Sequence, residues 1–292
     1  MDFTGNFSGW AFLPRFRSSW AFPVRAVLVG AVPLALAACR HSATGGASTS
    51  VSAPLDVRSP VACVTGATCF DFEDGAVGEA PPSPFQKNGD GLVAIDATRA
   101  HSGARAVHVR GRPGRDSVAY FSLRSPYFPT PANEYFGRVM MWSSAVSGGR
   151  HHWTILKSSG TVSEKGWTAE YTYGAEGPGL IANYDTVGTR SDCWDDHGQM
   201  AVGRWVCLEW HFKGSSNEIE LWYDGAPTSH VVGVAVPPTG GCIAHETNDV
   251  WIAPTFAGLD VGYEMFPNEA HPPDVWYDDL AISTNGRIGC PQ

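Results

Sequence analysis

About a dozen short runs of alternating apolar and polar residues, divided by glycine, proline, asparagine and aspartate, leave this chain few folds to choose from. The runs fall at 93–96, 104–110, 118–122, 135–142, 152–157, 167–173, 180–185, 205–212, 218–223, 250–253, 259–266 and 275–282. No stretch of useful length has a helical period. Short strands in that number predict an all-β domain of two stacked antiparallel sheets. Asp224-Gly225 after Leu221-Trp222-Tyr223 marks a tight turn. Pro129, Pro131, Pro237, Pro238, Pro267, Pro272 and Pro273 fall between runs, where a missing N–H donor does no harm.

The last run carries Asp278 and Asp279 at its middle. Period-two alternation sends adjacent side chains to opposite faces, so one carboxylate is expected to look inward, where its charge needs a partner or a cation. At the other end of the domain, Cys69-Phe70-Asp71-Phe72-Glu73-Asp74-Gly75 reads as a first strand ending in acidic residues and a turn. Carboxylates on both the first and the last strand predict neighbouring ends and a calcium cage of hard oxygen ligands.

Three segments divide the chain. Residues 1–38 have the plan of a secretory signal: Arg15, Arg17 and Arg25 precede an apolar run from Ala26 to Ala38 that is too short to span a membrane. The tetrad Leu36-Ala37-Ala38-Cys39 resembles a bacterial lipobox, which implies cleavage before Cys39, lipidation of its sulfur and a protein tethered to the cell envelope. Residues 39–62 turn to Ser, Thr, Ala, Gly and Pro and predict a flexible tether, because such a composition buries too little surface to offset its ordering entropy. The folded domain is expected over 63–292 as a monomer. The formal charge of −9 on the whole chain argues against nucleic acid and against a basic membrane surface.

Six cysteines remain beyond Cys39, an even number that fits disulfides in an exported protein. Neighbouring chain ends favour Cys290 with Cys63 or Cys69; Cys193 is expected to pair with Cys207 or Cys242.

The segments 203–211 (Gly-Arg-Trp-Val-Cys-Leu-Glu-Trp-His), 219–225 (Ile-Glu-Leu-Trp-Tyr-Asp-Gly), 258–264 (Gly-Leu-Asp-Val-Gly-Tyr-Glu), Val275-Trp276-Tyr277-Asp278-Asp279 and Ile288-Gly289-Cys290 resemble, in order and spacing, the core domain of the fungal cellulose-induced protein family. The resemblance covers roughly 69–290. It implies a concanavalin-like β-jelly-roll sandwich related to glucuronan and alginate lyases, with polysaccharide as partner. It also implies a structural calcium held by Glu73, by Asp278 or Asp279, and by the loop 100–104, which includes Ser102.

Breaking a uronate-containing polysaccharide by β-elimination needs a group that neutralises the carboxylate, a base for the C5 proton and an acid for the leaving oxygen. His152 matches the family's active-face histidine. Where the family has Arg and Gln on the next strand, this chain has Thr168-Ala169-Glu170-Tyr171-Thr172-Tyr173, and where the lyases place a tyrosine it has Phe266. Substitutes are Tyr184, Asp185, Arg190, Glu170 and, with a one-residue register shift, Tyr263. Glu170 with Glu264 also offers a carboxylate pair of the glycosidase kind. On one concave sheet, His152, Glu170, Tyr184 and Glu264 are expected to approach one another, with Trp153, Tyr171 and Tyr263 turned into the core. Arg150, His151, His152 and Lys157 predict a basic patch there, with His151 and Asp185 as substrate contacts. Of the eleven tryptophans, Trp222 is expected outward for sugar stacking, and Trp142, Trp210 and Trp276 in the core. Three functions fit: a polyuronide lyase, a carbohydrate-binding lipoprotein without catalysis, and a structural envelope protein.

Overall fold

A computed structural model describes residues 59 and 61–291, apart from 149–150, 187–190, 234–240 and 245–250. Cys39, Arg150 and Arg190, the expected signal segment and most of the tether lie outside the described residues. Two antiparallel sheets are stacked on one core, and the strands are numbered here in chain order. The first sheet runs β13 (Ala226–Val232), β12 (Glu218–Tyr223), β11 (Trp205–Lys213), β6 (Glu134–Ser143), β17 (Val275–Ser283), β4 (Ala106–Arg110), β3 (Leu92–Asp96), with β1 (Ala67–Phe70) also paired to β17. The second runs β14 (Gly241–Ala244), β10 (Ser191–Gln199), β9 (Gly179–Thr186), β8 (Trp167–Glu176), β7 (His152–Val162), β16 (Leu259–Phe266), β5 (Val118–Leu123), β2 (Gln86–Gly89), with β15 (Thr255–Phe256) also paired to β7. The domain is thus an all-β jelly roll of two antiparallel sheets. No helix among the described residues is long and apolar enough to cross a membrane.

Alternation decides what fills the space between the sheets. Trp153, Trp210, Tyr171, Tyr173, Tyr184, Tyr277, Phe212 and Phe256 are fully buried there. Buried tyrosine hydroxyls find partners inside: Tyr135 Oη and Ser158 Oγ lie 2.6 Å apart, Tyr277 Oη donates to Gly262 O at 2.6 Å, and Trp251 Nε1 donates to Tyr171 Oη at 2.7 Å. A buried hydroxyl left unpaired would cost about 1–3 kcal/mol.

Several expectations change. The segment 251–253 is not a strand; Trp251 reaches the core from irregular chain and stacks on Tyr184 at 4.9 Å. Trp210 is a core residue, but Trp142 and Trp276 belong to the outer face of the first sheet. There Trp205, Trp142, Trp276 and His108 stand directly opposite one another across β11, β6, β17 and β4, with the Arg99 guanidinium 3.5 Å above the Trp142 ring. Since Tyr277, Val139 and Met141 point inward, their neighbours in sequence must point outward.

All six cysteines are paired, as Cys63–Cys69, Cys193–Cys242 and Cys207–Cys290. Cys193 takes one of its two expected partners. Cys290 does not reach the first strand, because the chain after β17 runs back over β11, where Arg287 and the Gly289 amide donate to buried Glu209 at 2.6 and 2.8 Å.

The two aspartates of β17 do not split between faces. Pairing with β6 slips between Asp278 and Ala281, and Asp279 takes a left-handed backbone with φ of 48°. This bulge turns both carboxylates toward the loop 101–105, and both are buried.

Candidate functional site: a cleft on the second sheet

The outward face of the second sheet holds a cleft of about 540 Å³ lined by His152 and Thr154 of β7, Glu170 and Thr172 of β8, Asn183 and Asp185 of β9, Asp192 of β10, and Glu264 and Phe266 of β16, with Pro267. Each strand contributes alternate residues, so the lining follows from the same period that fills the core. Of the four residues expected to meet, His152, Glu170 and Glu264 do so, with Asp185 beside them.

Tyr184 does not join them. It lies between Asn183 and Asp185, whose side chains face the cleft, so its own ring faces the core; its hydroxyl donates to Ile252 O at 3.2 Å. Tyr263 is likewise inside, its ring 6.1 Å from Trp153. Trp153 and Tyr171 are buried as the alternation predicts. His151 is off the cleft, 2.9 Å from Glu269 Oε2. Trp222 is on the other sheet, partly covered by the Arg287 guanidinium at 4.5 Å.

The electrostatics differ most from expectation. Asp192 stands opposite Asp185 across β10 and β9, and Asp185 opposite Glu170 across β9 and β8. Like charges placed directly opposite are destabilising. Lys157 compensates one end of this row: its ammonium is 3.0 Å from both oxygens of Glu170 and 2.8 Å from Glu264 Oε2, which also accepts a hydrogen bond from Tyr120 at 3.0 Å. Lys157 is thus a buried bridge between carboxylates, not part of a basic surface. Burial raises Glu170, against the pull of Lys157. Burial and then the charge of Asp185 push Asp192 up to about 6. His152, half exposed, lies 3.4 Å from Glu176.

Sequence reading missed Asp192 and Asn183 as cleft residues, and named Phe266 only as standing where the lyases place a tyrosine. Asp192 sits in an acidic run whose inward or outward phase depends on β10 having been recognised, whereas Asn183 shares the phase of Asp185 on β9. Phe266 is the plainer signal: its ring is 74 % exposed beside a proline at the end of an otherwise buried strand.

The carboxylates at the two ends of the domain also meet. Glu73 Oε1 accepts from the amides of Ala104 and Arg105 at 2.8 and 2.9 Å. Asp278 Oδ2 accepts from the amides of His101 and Ser102 at 2.7 and 3.1 Å. Asp279 Oδ1 accepts from Ser102 Oγ at 2.7 Å, and its Oδ2 lies 2.6 Å from His101 Nδ1. Burial, and next the charge of Asp279, push Asp278 up to about 8. Hard oxygens around two adjacent buried carboxylates suit a hard cation in ligand type. In the arrangement described, however, loop N–H and O–H donors take up these oxygens.

The chain matches the family model of the Cip1-like core domain, in the polysaccharide lyase-like group, over residues 189–285. Among solved structures it is similar to the cellulose-induced protein Cip1, at 20% identity, 76% of this chain, 99% of the other and a TM-score of 0.55. It is also similar to the endo-β-1,4-glucuronan lyase of the fungus Trichoderma reesei, at 14% identity, 75% and 95% coverage and a TM-score of 0.50. At these identities the likeness shows a shared fold. No curated protein matches the sequence.

Proposed function

We propose that this chain is an exported protein acting on a polysaccharide, which it holds in the cleft across β10, β9, β8, β7 and β16. The observation that carries this reading is the exposed Phe266 ring standing beside a sheet-wide cleft of carboxylate, amide and hydroxyl groups. An exposed aromatic face stacks on a sugar ring, and the polar groups take up its hydroxyls. The match to a Cip1-like core domain and the fold shared with a glucuronan lyase support polysaccharide as the ligand class. Three disulfides fit an oxidising compartment, and the Leu36–Cys39 tetrad supports anchoring by a lipid.

The cleft favours a neutral glycan over a polyuronide. Among the described residues its basic side chains are Lys157, already held by Glu170 and Glu264, and His152. Among the described residues, a uronate carboxylate would face Asp192 and Glu170. Glu170 and Glu264 share one ammonium, which argues against a freely titrating glycosidase pair. Binding without cleavage is therefore the preferred reading, and β-elimination through His152 the second, favoured by that residue's exposed position on the cleft wall.

The test is a panel of immobilised neutral β-1,4-glucan, glucuronan and alginate, read for retention and for the ultraviolet absorbance of unsaturated uronate. Retention on the neutral glucan without absorbance is expected. Absorbance growth on glucuronan, lost in His152→Ala, would replace binding with elimination. Failure to bind any glycan would overturn both.

A further inference from the structure

On the outer face of the first sheet, three strands bring histidine and glutamate into one line. His211 of β11 stands opposite Glu220 of β12, and Glu220 opposite His230 of β13. Glu218, two residues before Glu220 on the same face, completes the group. His230 Nε2 is 2.6 Å from Glu218 Oε1 and 3.9 Å from Glu220 Oε1. One ligand atom from each of Glu218, Glu220 and His230 fits within 4.8 Å of the others.

We propose that Glu218, Glu220 and His230 form a binding site for a divalent transition metal of the zinc type, with a fourth position open to water. Tetrahedral zinc holds imidazole and carboxylate ligands at about 2.0–2.2 Å, so its ligand atoms sit roughly 3.4 Å apart. The separations found here need only small side-chain rotations to meet that spacing. One imidazole with two carboxylates is a borderline donor set that suits zinc better than calcium or magnesium.

The surroundings are those of a supported site. His211 is buried and uses both ring nitrogens, Nδ1 at 2.7 Å from Glu220 Oε2 and Nε2 at 2.8 Å from Glu134 Oε1. It thereby fixes the carboxylate of Glu220 from behind, as partners of metal ligands commonly do. Ser216 Oγ and Lys213 Nζ hold Glu218 Oε2 at 2.9 and 3.1 Å, leaving Oε1 toward His230. His230 is half exposed, which gives the ion an entry path. The site is on the opposite sheet from the cleft and does not depend on the reading of that cleft.

Calorimetric titration of the full chain with zinc chloride, in a non-chelating buffer containing excess calcium, tests the assignment. One strong equivalent is expected, weakened at least about tenfold in His230→Gln and in Glu218→Gln. His271→Gln, which alters an exposed histidine elsewhere, should leave it intact. His230 makes few packing contacts, so its variant should fold; circular dichroism checks this. Strong zinc binding that persists unchanged in His230→Gln, or no binding in the parent chain, would overturn the site.

Discussion

Phe266 and Asp192 show what single side chains contribute to the cleft. The Phe266 ring touches little of the protein, so Phe266→Ala should leave the melting temperature unchanged and weaken glycan retention about tenfold, or ~1.4 kcal/mol. Equal retention by parent and variant would remove the ring from the binding surface. Asp192 makes a prediction about pH. Its folded-state value is raised to about 6, so the fold prefers the protonated acid. The stability it lends is fully present below about pH 4 and is lost as pH rises through about 6. Asp192→Asn should remove that share of the pH dependence, on the order of 1 kcal/mol after discounting for its partial exposure. Urea denaturation of both proteins at pH 4.5 and pH 7 measures it. An identical slope in the two would mean that Asp192 is ionised throughout.

At the scale of strands, alternation was legible wherever a run was long and unbroken. It placed Trp153 and Tyr171 in the core and His152, Glu170 and Glu264 together on the cleft. It failed in three physical circumstances. A bulge carries no local residue signature, so Asp278 and Asp279 were assigned to opposite faces. Strands rich in polar residues, such as β10 with Ser191-Asp192-Cys193-Trp194-Asp195-Asp196, lack the apolar half of the pattern. Aromatic residues on a solvent-side face are hydrophobic enough to read as core, which misplaced Trp142 and Trp276. Tyr184 was a different error, since a residue between Asn183 and Asp185 cannot share their face. Close sheet packing yields a further prediction: a Cβ at Gly137 in β6 would come within 2.0 Å of the Trp210 ring. Gly137→Ala should cost about 1–3 kcal/mol in urea denaturation, through displacement of that ring. A neutral outcome would show that the Trp210 ring moves aside easily on its own sheet.

For the molecule as a whole, the two ends of the domain are joined by β1 against β17, by Glu73 on the 104–105 amides and by Asp278 and Asp279 on the 101–102 segment. A calcium ion at this junction would bind the folded chain alone and so raise its stability by mass action. Chelation is then expected to lower the melting temperature, readdition of calcium to restore it, and Asp279→Ala to lose the calcium response. A parent protein that melts identically with and without chelator would leave the loop hydrogen bonds as the whole of the junction.

The strand that follows all the others, β17, lies in the interior of its sheet, between β6 and β4. Until it arrives, that sheet is two unconnected fragments, β13-β12-β11-β6 on one side and β4-β3 on the other, each with a bare edge. The last strand of the chain thus acts as the keystone of the first sheet, the one element whose loss would leave that sheet in two pieces.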